Sequence, residues 1–314
     1  MWQKFWGNPE ALAALERWAA SRRFPHCVIL EGEAGCGKKT FAVRLGAAIL
    51  CQGLPAPCGR CRDCVKIQHH QHPDLLLYGP TGASGRSFKV ETVRQVMASA
   101  AVKPNEAAAK VYLLEEAHLM TDSSQNSLLK LIEEPPENVY FILTCTNRLK
   151  LLPTILSRAT VIALEPLPLE ECVQALREAC PGAPEAQCRS AAECAAGNLG
   201  LARQLLQQQD RLQLYEDAAQ AVRWIAQARE YPLLCLMRRY SGKREEFCAF
   251  LVQLRRAVEE EILLYYRGRQ GAGIPRVQAA KLLDLLEQLT EQAQANGNLT
   301  LLATLACAEM MDCR

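Results

Sequence analysis

The stretch EGEAGCGKKT, Glu31 to Thr40, sets three glycines and two lysines between an apolar run and a helical one. Gly32, Gly35 and Gly37 let backbone N–H groups turn toward an anion at a helix N-terminus, and Lys38 adds a positive charge for the outer phosphates of a nucleotide. The pattern is GxxxxGK[ST] except at its last position, which is Lys39. In hydrolysing enzymes the hydroxyl at that position holds Mg²⁺, which neutralises the charge that develops between phosphates. An ammonium cannot ligate a cation, and Thr40 comes one residue late, about 100° further round a helix. Gly32, Gly35, Gly37, Lys38, Lys39 and Thr40 therefore form a candidate nucleotide-binding cradle without turnover. The bland alternative is a glycine turn into a buried helix. The residues leave the occupant open: ATP, ADP or none.

Three further groups carry chemistry. Glu115-Glu116 follows VYLL, where a magnesium-organising Asp and a catalytic Glu are expected at a strand's carboxyl end. Glu115 is longer than Asp and is expected to intrude on the metal's space, although two acids solvating a strand terminus read equally well. CQGLPAPCGRCRDC places Cys51, Cys58, Cys61 and Cys64 as C-x6-C-x2-C-x2-C. Four thiolates in so polar a segment suit a tetrahedral Zn²⁺, which would fold a loop that packing alone cannot. With four protein ligands the site has no open position, so it is expected to be structural; free surface cysteines are the alternative. His69, His70 and His72 are expected to be solvated turn residues or a helix cap region rather than additional ligands, and Cys145, Cys172, Cys194 and Cys248 small core residues. In LPTILSRAT, Arg158 reads from spacing alone as an ordinary surface arginine. It can also be a guanidinium offered to a neighbour's γ-phosphate.

The elements that position these groups follow from periodicity. CVILE (Cys27 to Glu31), VYLLEE (Val111 to Glu116) and VYFILTCTN (Val139 to Asn147) are β-rich, with helical spacing in TFAVRLGAAILC and SSQNSLLKLIEE. Strands alternating with helices imply a parallel, three-layer α/β sheet. After PLPLEE the composition shifts to Leu, Ala, Gln, Glu and Arg. The sequence divides into an α/β domain over 1–166, three short helices over 167–208 and longer amphipathic helices over 209–314, where Phe247, Phe250, Leu251, Leu254, Val258 and Ile262 recur at helical steps.

GEAGCGKKT, the four-cysteine insert, HPDLLL, VYLLEEAHLMTDSSQNSLLKLIEEPPEN, ILTCTN and LPTILSR come in the order that resembles the clamp-loader subunits of bacterial DNA polymerase III, which are AAA+ proteins, and among them the delta-prime type. The resemblance covers roughly 24–168. It implies a RecA-like P-loop domain with a zinc module, a small helical lid and an all-helical collar that joins a five-subunit ring. It further implies a rigid stator that works with tau/gamma and delta subunits to place a sliding clamp on primed DNA, with Arg158 as an arginine finger acting in trans. The family's Ser-Arg-Cys reads Ser157-Arg158-Ala159 here. Gly200, in GNLG, stands where an active subunit presents an ATP-sensing arginine, and Arg203 lies nearly a turn away. The competing readings are a tau/gamma-type motor, from which Lys39 and the expected lack of a tau-type tail set the chain apart, and a stand-alone P-loop ATPase acting on nucleic acid.

Composition bounds these readings. With 36 Lys+Arg against 34 Asp+Glu the formal charge is +2, so no global field draws the chain to nucleic acid. No run reaches the ~18 apolar residues of a membrane helix, and MWQKFWGNPEALAALERWAA lacks the apolar core of a signal peptide or anchor. A cytoplasmic protein is expected, whose reducing compartment disfavours disulfides, so its 15 cysteines point to metal binding instead.

Overall fold

In the computed structural model, residues 4–80, 88, 90–266, 271–295 and 297–313 are described. They fall into two compact units, Met1–Glu185 with Ala195–Arg203, and Ala186–Cys194 with Gln204–Arg314.

The first unit holds α1 (Pro9–Ser21), β1 (Cys27–Glu31), α2 (Lys38–Leu50), α3 (Arg62–Gln68), β2 (Leu75–Tyr78), α4 (Val90–Ala100), β3 (Lys110–Leu114), α5 (Asp122–Glu133), β4 (Val139–Cys145), α6 (Pro153–Leu156), β5 (Thr160–Ala163) and α7 (Leu169–Ala179). The strands form one sheet in the order β2-β3-β4-β1-β5, and every pairing is parallel. Parallel neighbours need crossovers, and the helices between the strands supply them. Because strand side chains alternate, the sheet feeds two cores. Val28, Leu30, Val111, Leu113 and Ile142 pack with Phe41 and Leu45 of α2 and Leu15 of α1. Cys27, Ile29, Tyr112, Leu114, Phe141 and Leu143 pack with Val93 and Val96 of α4 and Leu128 and Ile132 of α5. The three-layer α/β architecture is thus present. β2 and β5, each four residues long at a sheet edge, add to the three strands visible in the sequence. The register brings the carboxyl ends of β1, β3 and β4 together, with Leu30 beside Thr144 and Leu114 beside Leu143. That edge is where ligands of open α/β sheets bind.

After α7 come α8 (Glu185–Cys194) and α9 (Leu199–Gln207), so three short helices stand where three were expected. The second unit is helical: α10 (Gln209–Ala226), α11 (Glu230–Tyr240), α12 (Arg244–Tyr266), α13 (Arg276–Gln294) and α14 (Leu299–Asp312). Its core is built on α12, whose Phe247, Phe250, Leu251, Leu254 and Val258 are fully buried, facing Leu282 and Leu286 of α13 and Leu233 and Met237 of α11. Ile262, one turn on, is only partly buried. Asp217, 8% exposed, is satisfied by Gln213, the Tyr240 hydroxyl and Arg239. Among the described residues no helix is long and apolar enough to cross a membrane.

Phe250 stacks on Tyr240 at 4.4 Å between ring centroids. Phe250→Ala is expected to cost about 3–5 kcal/mol through lost burial and the cavity it leaves, read as a lower urea midpoint of the transition reported by the helical unit.

Candidate functional site

β1 runs directly into the glycine loop. Gly35 and Gly37 have φ of 93° and 83°, in the left-handed region that side chains resist, and α2 starts immediately after them. The Gly32 N–H donates to the Cys145 carbonyl at 3.1 Å, which seats the loop against the end of β4. Lys38 is turned back onto the loop, its ammonium donating to the carbonyls of Gly32 at 2.6 Å and Glu33 at 2.7 Å. Burial lowers its pKa, partly opposed by the nearby thiols of Cys36 and Cys145 and the carboxylates of Glu116 and Glu33.

Lys39 faces β3. Its Nζ lies 2.7 Å from Oε1 of Glu115, which leaves the end of that strand with its N–H on the Tyr78 carbonyl. Glu115 is therefore not simply a longer acid intruding on a metal's space; it holds an ammonium. The pair's side chains are 60% and 25% exposed, so it adds little stability. Its consequence is occupancy: a divalent ion entering here must displace a cation from its carboxylate. Glu116 adopts φ 52°, with its N–H donating to the Thr144 hydroxyl at 3.0 Å.

The segment Gly197 to Gly200 closes onto this loop. Asn198, 5% exposed, donates from Nδ2 to the Ala34 carbonyl at 2.7 Å and accepts at Oδ1 from the Leu201 N–H at 3.1 Å, while the Gly200 N–H donates to the Gly35 carbonyl at 3.1 Å. A Cβ on Gly200 would lie 2.6 Å from Gly35 Cα and 2.7 Å from its carbonyl oxygen. Beside this contact lies a cavity of about 510 Å³, lined by Gly35, Gly37 and Thr40 from the loop, Phe5 and Trp6 from the N-terminal segment, and Arg203.

The four cysteines converge. Cys51 caps the end of α2 and Cys61 the start of α3, and the sulfurs of Cys51, Cys58, Cys61 and Cys64 lie within 4.8 Å of one another. Cys58–Cys64 and Cys51–Cys61 are 4.0 and 3.9 Å apart, close to the ~3.8 Å edge of a tetrahedron with 2.3 Å metal–sulfur bonds. Backbone N–H groups of Gly53, Cys58, Cys61 and Cys64 point at the sulfurs, an arrangement that favours thiolate. The Cys58 thiol is drawn down to about 6, chiefly by the Arg60 N–H; burial pushes Cys51 and Cys64 up. This set can hold a metal ion.

Arg158 lies just past α6. Its Nη1 donates to the Thr154 carbonyl and the Ser157 hydroxyl, both at 3.1 Å, and its Nη2 is 3.1 Å from Glu133 Oε1, with the side chain 42% exposed. It is not among the residues lining the cavity beside the glycine loop.

Residues 7–168, more than half of the 314, match the family described as DNA polymerase III, delta subunit. The chain belongs to this family. It is 36% identical over 167 residues to the DNA polymerase III subunit tau of Escherichia coli (strain K12), covering 52% of this chain and 25% of the relative. It is 31% identical over 161 residues to the delta' subunit of Bacillus subtilis (strain 168), covering 51% and 48%. The chain thus spans from a quarter to about half the length of these relatives. A crystal structure of a DNA polymerase III gamma subunit-related protein from Thermotoga maritima aligns over 97% of this chain and 100% of that one, at 18% identity and a TM-score of 0.45.

In this DNA polymerase III delta-family chain three buried polar residues to which sequence alone assigns no functional role, the first with Asp74 beside it, organise the surroundings of the site. His72, expected in solvent, is buried at 6% exposure. Its Nδ1 accepts from the Asp74 N–H at 3.0 Å, so a neutral ring carries its proton on Nε2, 3.3 Å from Asp63 Oδ1. His69 and His70 are exposed, as expected. Asp74 in turn is buried, which pushes its carboxyl up, but donors from Asn105, Glu106 and Ala107 outweigh this and hold it below the usual range. Gln125, 1% exposed, links the Met120 and Lys150 carbonyls and the Leu152 N–H, and so joins α5 to the segment that carries Arg158. Asn198 is the third. No local signal marked His72, since its partner Asp63 lies in the first turn of α3, nine residues earlier. Of the cysteines expected in cores, Cys145 and Cys172 are buried and Cys194 and Cys248 half-buried.

Gly200→Arg, which puts a long side chain against Gly35, is expected to force the segment off the glycine loop and to destabilise the first unit by about 1–3 kcal/mol. Chemical denaturation followed in that unit reads the loss.

Proposed function

We propose that this chain is a non-motor subunit of a DNA polymerase III clamp loader, helping to place a sliding clamp on primed DNA in the cytoplasm. The observation that carries this reading is the Lys39–Glu115 ion pair at 2.7 Å. It occupies the two positions from which a P-loop enzyme ligates Mg²⁺ and replaces both ligands with a neutralised pair. Gly200 supports the reading, since its contact with Gly35 leaves no room for a side chain that senses ATP. In this reading residues 1–166 form the AAA+ domain, 167–208 a lid and 209–314 a collar that joins tau/gamma and delta subunits. Gly32, Gly35, Gly37, Lys38, Lys39 and Thr40 form a cradle for ATP or ADP without turnover. Arg158 reaches a neighbour's ATP as the finger. Cys51, Cys58, Cys61 and Cys64 hold one structural Zn²⁺, which supplies cross-linking of the α2–α3 connection and no catalysis.

The purified chain, given Mg²⁺ and ATP, is expected to release phosphate no faster than a protein-free blank, and Lys39→Thr is expected to stay inactive because Glu115 and Gly200 persist. Steady hydrolysis by the unmodified chain, lost in Lys38→Ala, would make it a motor and remove the proposal. Cys61→Ser is expected to lose about one zinc per chain by elemental analysis and to lower the thermal midpoint of the first unit. Full zinc retention would count against the four-thiolate assignment.

A further inference from the structure

The guanidinium of Arg158 is mounted at two points by one helix. Gln125, near the start of α5, bonds to Lys150 and Leu152 and so fixes the segment on which α6 and Arg158 stand. Glu133, the last residue of α5, reaches the guanidinium itself. Both Nη1 hydrogens are directed to Thr154 and Ser157, and one Nη2 hydrogen to Glu133. Nε–H and the second Nη2 hydrogen remain for an incoming anion, and two N–H groups of one guanidinium match two oxygens of a phosphate. An unrestrained arginine of this length samples many rotamers and must lose that freedom each time it engages. Here the side chain is half-exposed yet already oriented by three acceptors, two from its own turn and one from a different element.

We propose that Glu133 is a positioning residue for Arg158, holding the guanidinium in one orientation beside the end of α6 so that it meets a neighbouring subunit's triphosphate in a competent orientation. The inference rests on the reading of Arg158 as a finger acting in trans. Glu133 touches no nucleotide in this arrangement; it acts through Arg158. Its carboxylate contributes geometry as an acceptor on Nη2 alone, which leaves other N–H groups of the guanidinium for phosphate oxygens.

The test uses the complex reconstituted with its ATP-hydrolysing partner subunits, comparing Arg158→Ala, Glu133→Ala, Glu133→Gln and the double alanine variant in steady-state ATPase assays. Arg158→Ala is expected to lower kcat strongly. Glu133→Ala is expected to lower kcat by about tenfold, the scale of a misplaced but present catalytic group, with KM unchanged. Glu133→Gln, which keeps an acceptor, is expected to recover most of that loss, and the double variant to be no slower than Arg158→Ala. Thermal midpoint and complex assembly, measured alongside, are expected not to move, whereas a purely structural role would shift them. If Arg158→Ala lowers kcat but Glu133→Ala leaves it equal or raises it, the positioning role is overturned. If Arg158→Ala itself changes nothing, the finger reading falls instead.

Discussion

An ammonium and a divalent cation compete for the same carboxylate beside the glycine loop, and in this chain the ammonium holds it. Lys39 and Glu115 satisfy each other where a nucleotide-cleaving site leaves a carboxylate and a hydroxyl free for a divalent ion. An aspartate at position 115 would offer Lys39 a shorter carboxylate to reach, and a hydroxyl at position 39 would leave the Glu115 carboxylate without a cationic partner. Together Lys39 and Glu115 form a self-contained pair. Lys38, with its ammonium on the loop's own carbonyls, fits the same picture of a cradle that satisfies itself internally.

The contact from the other side is steric as well as polar. A Cβ on Gly200 would meet Gly35 and one on Gly35 would meet the Asn198 side chain, so neither position tolerates one, and Asn198 spends its side-chain amide on the Ala34 carbonyl. A loop whose carbonyls are tied to the start of α9 has less freedom to reshape around a ligand than one bordered by solvent. In the proposed reading this is what a subunit that holds geometry, and does not cycle through nucleotide states, requires of its lid.

Much of this was legible in the sequence because it is local. The three central strands announce themselves as runs of buried β-branched and aromatic residues, and C-x6-C-x2-C-x2-C brings four sulfurs together almost regardless of the rest of the fold. β2 and β5 were missed as strands because four residues at a sheet edge, with exposed positions among them, carry little periodicity. His72 was misread because its partner Asp63 lies nine residues away, across the end of α3, and a polar string such as QHHQHPD gives no hint of a buried acceptor. GNLG reads as punctuation between helices, since nothing within it reveals that it will meet a glycine more than 160 residues earlier. Loss of the magnesium hydroxyl was visible at Lys39; that Glu115 compensates it was not, because the pairing is tertiary.

In the proposed reading, α5 lets one end of the domain lose chemistry while the other keeps a poised cation. The helix begins a short turn beyond Glu116 and ends at Glu133, about 18 Å on for twelve residues at 1.5 Å each. Leu128 and Ile132 bury it against the sheet, and Gln125 satisfies backbone groups on both sides of it, so its placement depends on packing and neutral hydrogen bonds. No metal or nucleotide is needed to set it. A domain whose arginine is aimed by such an element can surrender its own magnesium site without losing the orientation of Arg158, because the two ends are connected through the core and not through the phosphate loop.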